Sequence, residues 1–479
     1  MAELDLKHKT KVGLYWSFLN SGANQLMQFV VGIIVARLLT PSDFGITALP
    51  GVFCAIAGIF MDSGFGQALV RKKEVSEEDM ATCYYYGVGM GFLMYFALFF
   101  GAPYIADFYN TPILVPLIRV STIPMIIGPL IGPQGVILNR RLDFKTIARI
   151  SIVNKFVSLI VGVVVAYAGY GIWALVSTGL TASFLGFIQT WYSVRWRPKA
   201  HWSKESFKYL WGYGNKMIGA NIIDALYNNL APVVIGKFYT PAMLGVYNRA
   251  EGFARLPTNH ICAMMQGVTF PILSRMQDDY ERLAKNYRKM IKVSCFISFP
   301  VFFLLVGLAR QLIVLLITEK WISCVVMLQI MCFAKMWWPL MSLNRNLLQV
   351  SNRTDLYLKM EVVKRFVNFV LMCIALYHSI MAFVCYQIVE TIIALCFNTY
   401  YTGKLFNVGL FRQLRDVAPS YFLSALMLAS VLGVNYFLEN MWLQLFVGGT
   451  VGLAVYAAGA YILKFEELNE VKYMLNRKK

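Results

Sequence analysis

Apolar stretches of about 20 residues recur along the whole of this 479-residue chain, and each is long enough to cross a bilayer as a helix. This feature constrains the fold more than any other. In hydrocarbon a backbone must satisfy its own hydrogen bonds, so such a stretch is either a helix or one strand of a closed barrel. The stretches lack the period-two alternation of barrel strands and are too long for them. The expected fold class is therefore all-α, a polytopic membrane protein. The composition agrees, with 58% hydrophobic and 14% charged residues. Fourteen spans are read, roughly 12–37, 43–66, 81–101, 113–137, 149–168, 171–193, 209–236, 243–272, 291–308, 323–347, 359–377, 380–401, 417–438 and 441–463. No cleavable leader is read, because the charged MAELDLKHKTKV runs directly into a full-length apolar segment.

A net charge of +19 invites a nucleic-acid reading, but the placement of the charge argues against it. Counting the span ends with the segments they adjoin, the N-terminus, the connections after even-numbered spans and the C-terminus hold 33 of the 44 Lys and Arg. The opposite connections hold four (Arg37, Lys237, Arg310, Lys320), and seven lie inside spans. That asymmetry predicts both termini on the cytoplasmic side. The basic charge is then mainly a topology signal and a lipid-facing surface. Nine cysteines lie mostly inside apolar segments, with no C-x-x-C pair and no metal-ligand spacing. They read as small apolar residues, and neither metal nor cofactor is expected.

The chain repeats itself. TPSDFGI at 40–46 returns as TPAMLGV at 240–246, after spans 1 and 7. Pro suits a helix start, and Gly permits close packing. Gly22-Ala23-Asn24 matches Gly219-Ala220-Asn221, Pro129-Leu130 matches Pro339-Leu340, and Lys155-Phe156-Val157 matches Arg365-Phe366-Val367. Several matches in one order make a repeat. Six spans per unit put both copies in the same orientation, a parallel repeat. The expected organisation is a six-helix lobe over 1–200, a second over 201–415, and two additional helices with a basic tail over 416–479.

Polar groups interrupt the apolar segments. Asn20, Asn24 and Gln28 share one face of span 1, and Asn221, Asp224 and Asn228 share one face of span 7. Span 8 carries Asn248, Glu251, Arg255 and Asn259 on one stripe, with Arg249 nearby. Lipid cannot satisfy such groups, so they should face protein or a watery cavity. Two readings compete for each of them, structural hydrogen bonding within the bundle and a functional cavity; for Glu251 and Arg255 the structural one is an i, i+4 ion pair. Basic groups inside spans (Arg119, Lys155, Lys216, Arg249, Arg255, Lys335, Arg345) outnumber the acids Asp62, Asp224, Glu251 and Glu390. Such an interior suits an anionic substrate. Prolines at 124, 129, 133, 232, 257, 300 and 339 favour kinks. No Walker A sequence, no large outer loop and no nucleophilic constellation is present, so an enzyme is not expected.

The stretches VARLLTPSDFGI (35–46), DSGFGQALVRKK (62–73) and PQGVILNRRLDFK (133–145) resemble bacterial polysaccharide exporters of the multidrug/oligosaccharidyl-lipid/polysaccharide superfamily. LGVYNRAEGFARLP (244–257) and VTFPILSRMQDD (268–279) look like matching segments of its Wzx-type flippases, in the colanic-acid and teichuronic-acid branch. The resemblance covers roughly 1–415. It implies two six-helix lobes around a central cavity and transbilayer movement of undecaprenyl-diphosphate-linked oligosaccharide in a bacterial inner membrane. Arg249, Arg255, Lys216, Lys155 and Arg119, with Asn24, Asn221 and Asn228, are the expected substrate contacts. Asp224, Glu251 and Asp62 are the candidates for H+ or Na+ coupling. Membrane lipids, a polysaccharide polymerase and glycosyltransferases are the expected partners of a monomer, and nucleic acid is not. The competing readings are a cation-coupled multidrug exporter, for which the basic excess is unfavourable, and a membrane glycosyl polymerase or ligase, for which no outer catalytic loop exists.

Overall fold

The computed structural model describes residues 2–274, 276, 279–350, 353–468 and 470. Residues 275, 277 and 278 of the VTFPILSRMQDD stretch and the basic tail at 471–479 lie outside the described residues. Among the described residues every regular element is a helix. Eleven helical segments among the described residues are long and apolar enough to cross a membrane by length and composition. The segments over 173–193, 241–274 and 354–378 are not among them. The latter two carry charges at Arg249, Glu251, Arg255, Lys359, Glu361, Lys364 and Arg365, and the first is rich in Ser and Thr.

The chain divides into two compact units, Met1–Gly245 and Val246–Lys479. The first holds α1 (Ala2–Leu38), α2 (Pro41–Ala48), α3 (Gly51–Asp62), α4 (Phe65–Arg71), α5 (Glu77–Phe108), α6 (Leu114–Ser121), α7 (Pro124–Ile127), α8 (Gly132–Arg140), α9 (Phe144–Tyr167), α10 (Trp173–Ser193) and α11 (Lys204–Phe238). Helix α9 packs between α1 and α10, and α11 packs on α3, α4 and α5. Packing therefore places α11 with the helices before it, whereas the sequence repeat begins a new copy there. One boundary measures contact and the other duplication.

The second unit begins within α12 (Pro241–Ser274) and continues through α13 (Tyr280–Gly307), α14 (Ala309–Ile317), α15 (Cys324–Lys335), α16 (Trp338–Val350), α17 (Thr354–His378), α18 (Ile380–Phe406), α19 (Leu410–Phe437) and α20 (Met441–Ile462). The two helices outside the repeat are integral to it: α19 runs along α13, and α20 packs on α19 and α14. Tyr456 donates to the Phe296 carbonyl at 2.8 Å, and Gln311 Nε2 donates to Gln444 Oε1 at 2.8 Å.

The duplicated hairpins begin helices for local reasons. Thr40 caps α2 by accepting from the Asp43 N–H, while Asp43 accepts from the Thr40 N–H at 2.8 Å, a reciprocal capping box with Pro41 in the first turn. In the second copy Thr240 accepts from the Met243 N–H at 3.3 Å, with Pro241 opening α12.

Three apolar segments are broken helices. In 41–71 the chain turns at Ser63 and Gly64, both left-handed, with φ of 45° and 69°. Glycine suits that conformation because it has no Cβ to clash. The 114–140 segment breaks into α6, α7, a 3-10 turn (Gly128–Ile131) and α8, with Pro124, Pro129 and Pro133 at the starts of the successive pieces. The third break separates α15 from α16, where Pro339 follows Trp338. Freed carbonyls there are satisfied by side chains: Ser298 donates to Met336 O at 2.9 Å and Thr391 to Ala334 O at 3.2 Å. Pro129 and Pro339, the matched pair of the repeat, thus both mark interruptions.

Candidate functional site

The sequence-read polar groups fall into three local settings. In the first unit, Asn24 of α1 donates to Asn20 Oδ1 at 2.6 Å and to Ser151 Oγ of α9 at 2.9 Å. That amide ties two helices together, which is the structural role. Arg119 stacks over the Phe99 ring at 4.4 Å and donates from Nε to the Phe99 carbonyl at 3.3 Å. Lys155 is half-buried on α9. Along α11, Lys216, Asp224 and Asn228 are exposed on the unit and Asn221 is half-buried. Asp224 and Asn228 of the polar stripe, and Lys216 off it, are therefore accessible on this unit, and Asn221 is partly so.

Asp62 ends α3 at the left-handed turn, exposed, beside a cavity of about 280 Å³. Its walls include Gly58, Cys83, Tyr86, Pro129 and Pro133, so two interrupted helices meet at it. Interrupted helices leave backbone dipoles unpaired, and these suit ions.

The second unit contains the most closely knit group. One oxygen of Glu251, Oε1, accepts from Lys335 Nζ at 3.0 Å and faces Arg255 Nη2 at 3.2 Å. Lys335 is buried, with 6% of its side chain exposed, and stacks over Trp338 at 4.7 Å, whereas 55% of Arg255 is exposed. The other Glu251 oxygen is buried without a hydrogen-bond partner. One turn earlier on α12, Tyr247 Oη accepts from Gln387 at 3.5 Å. Glu390, three residues beyond Gln387 on α18, accepts from Asn368 Nδ2 at 3.3 Å. Arg249 leaves this cluster and stacks over the buried Trp321 at 5.3 Å.

The structure thus keeps Glu251 and Arg255 together and adds Lys335, whose partner the sequence reading left unassigned. A lone lysine inside MLQIMCFAKMWWPL was the available signal, since such a charge needs an opposite one. Their separation of 84 positions hid which one. Among the described residues no group of three or more His, Cys, Asp or Glu is placed to hold a metal ion.

A sequence model of the polysaccharide biosynthesis protein family matches residues 34–326. This chain belongs to that family. It is 26% identical over 372 residues to the lipopolysaccharide biosynthesis protein WzxC of Escherichia coli (strain K12), covering 76% of this chain and 74% of the relative. It is 24% identical over 346 residues to the teichuronic acid biosynthesis protein TuaB of Bacillus subtilis (strain 168), covering 72% of each. Among solved structures, it shares its fold with the lipid II flippase MurJ in an inward closed conformation, with a TM-score of 0.73, 14% identity and coverage of 93% of this chain and 98% of that one. An inward-facing MATE multidrug transporter of the MOP superfamily aligns with a TM-score of 0.60 at 14% identity, over 83% of this chain and 95% of that one. The polysaccharide exporters that the motifs resemble agree with this family, and the two solved structures share the chain's fold.

Proposed function

We propose that this protein is a flippase that moves an undecaprenyl-diphosphate-linked oligosaccharide from the cytoplasmic to the outer leaflet of a bacterial inner membrane by alternating access. The observation that carries the reading is the family membership of a chain built from membrane-length helices: a polysaccharide biosynthesis protein of this architecture handles a saccharide that is itself membrane-borne. The lipid tail can stay in the bilayer while only the headgroup crosses through polar surroundings. Relatives named for lipopolysaccharide and teichuronic acid biosynthesis support the same reading. Both termini are cytoplasmic in this proposal, the protein acts as a monomer, and its lobes are 1–200 and 201–415 with the last two helices added.

Glu251 gives the proposal a chemical centre. It is paired with both Lys335 and Arg255, and an incoming diphosphate would compete with it for them. Protonation of Glu251, or its displacement by substrate phosphate, frees both cations for charge-assisted bonds to that phosphate. Arg249 in the same unit, and Lys216 and Lys155 in the other, are the further proposed substrate contacts, and Asp224 and Asp62 are the alternative sites for H+ or Na+ coupling. Arg119, Asn24, Asn221 and Asn228 then position helices or contact the substrate within the first unit.

The test is flipping of a fluorescent undecaprenyl-diphosphate oligosaccharide in proteoliposomes. Arg249→Ala/Arg255→Ala is expected to lower the rate strongly while the protein still folds. An unchanged rate sinks the headgroup assignment. A multidrug exporter would instead move lipophilic cations and leave the lipid-linked sugar in place.

A further inference from the structure

A cavity of about 980 Å³ lies within the second unit, where α13, α18, α19 and the segment after α20 come together. Arg282, Lys285, Lys289 and Lys292 line it from α13. Their spacing of three, four and three puts them on one helical face, where like charges repel. Lys404 from the end of α18 and Arg412 from the start of α19 face the same space. Lys289 is taken by Glu470 at 2.7 Å, and a seventh cation, Arg288, is taken by Asp416 at 2.6 Å. Five cations then face three acids on the walls, Glu281, Glu466 and Glu467. A concave site with surplus positive charge favours an anion.

The walls are built rather than incidental. Between Lys404 and Arg412 the chain turns through Asn407, left-handed at φ 54°. Behind the turn, buried Gln413 donates to Val408 O at 2.8 Å and accepts from Asn344 at 2.9 Å, and Thr402 donates to Asn344 Oδ1 at 2.9 Å. This buried network fixes the two cations relative to each other. Val293, Leu405 and Phe406 give the cavity an apolar side. Lys292 is the last cation before the apolar run that starts at Val293, so the cavity sits where α13 enters hydrocarbon.

We infer that this cavity binds the phosphate headgroup of an anionic membrane lipid, at a site separate from the Glu251 cluster. The cations meet the phosphate, and the apolar side meets the start of the acyl chains, which a free soluble anion does not possess. The inference is independent of the flippase reading, because it is tested by binding and not by transport.

The experiment uses the full chain purified in neutral detergent, with native mass spectrometry and thermal unfolding. Phosphatidylglycerol, phosphatidylcholine and inorganic pyrophosphate are the probes. The expected result is retention of phosphatidylglycerol on the order of tenfold above phosphatidylcholine, with a raised unfolding temperature. Both effects should vanish in Lys285→Ala/Lys292→Ala/Lys404→Ala. Lys285→Gln/Lys404→Gln, at exposed positions, gives the same reading if the triple variant does not fold. Equal retention of the two lipids, undiminished phosphatidylglycerol binding in the variants, or a full shift with pyrophosphate alone overturns the assignment.

Discussion

Gly45 and Gly245 exchange contacts across the duplicated hairpins. A Cβ built on Gly45 would lie 1.7 Å from the Pro241 carbonyl oxygen, and one built on Gly245 would lie 1.9 Å from the Pro41 carbonyl oxygen. Each glycine meets the proline of the other copy, as residues do across a two-fold interface. A side chain at either position would push the hairpins apart. The matched Thr-Pro-x-x-x-Gly spacing is therefore explained by two jobs in each copy, a helix start and a backbone-to-backbone contact.

Gly45→Ala and Gly245→Ala should each destabilise the protein by about 1–3 kcal/mol, the usual range for forcing a methyl into packed space. Because both separate the same hairpins, the double variant should cost clearly less than the sum. Gly22→Ala, inside α1 with nothing within 4 Å of its added methyl, is the control and should not destabilise, since alanine also favours the helix. Apparent unfolding temperatures of the four variants check this, and strict additivity would contradict the shared contact.

Thr40→Ala removes the capping box of α2 and should cost roughly 1 kcal/mol. Thr240→Ala should cost less, because Thr240 lacks the reciprocal carboxylate that Asp43 supplies. The same unfolding series reads the difference, and the reverse order would count against the capping account.

Lys335→Met leaves Glu251 with only the largely exposed Arg255 as a partner, and Glu251→Gln leaves Lys335 buried without its counter-charge. Breaking a buried pair costs about 3–5 kcal/mol. The double variant Glu251→Gln/Lys335→Met removes both charges and should recover most of the loss. Expression yield and unfolding temperature measure it. No recovery would mean the two residues act separately.

Arg140 closes the end of α4 by donating to Leu69 O at 2.8 Å and Lys73 O at 3.0 Å, and it also reaches Lys72 O. Lys72 in turn pairs with the buried Asp79 at 2.6 Å. Arg140→Ala should open the turn at residues 72–76 and speed its cleavage by trypsin, while Arg141→Ala should not. Equal cleavage rates would remove Arg140 from this role.

The legible part of the fold was the part written in local chemistry. The apolar stretches are helical where described apart from the turns that break some of them, because an unpaired backbone would leave polar groups unmet in lipid. Pro41 suited a helix start, and Pro124, Pro129 and Pro133 favoured kinks. The turn at Ser63-Gly64 was less visible, since its cause is one left-handed pair inside an apolar run. At the candidate site, i, i+4 spacing displayed Glu251 and Arg255 together. It gave no sign that Arg119 would stack on Phe99, twenty positions away, or that Asn24 would bind Ser151.

Sequence by itself determined the helical class, the repeat and the family-bearing motifs, because apolar length, turn residues and motif order act within one stretch of chain. Only the tertiary structure decided which charges pair with one another, where α11 packs, and that each repeated glycine meets the proline of the other copy. Those outcomes depend on residues tens to hundreds of positions apart being brought within a few ångströms. Coulomb attraction and close packing depend on that final distance and leave no periodic trace along the chain.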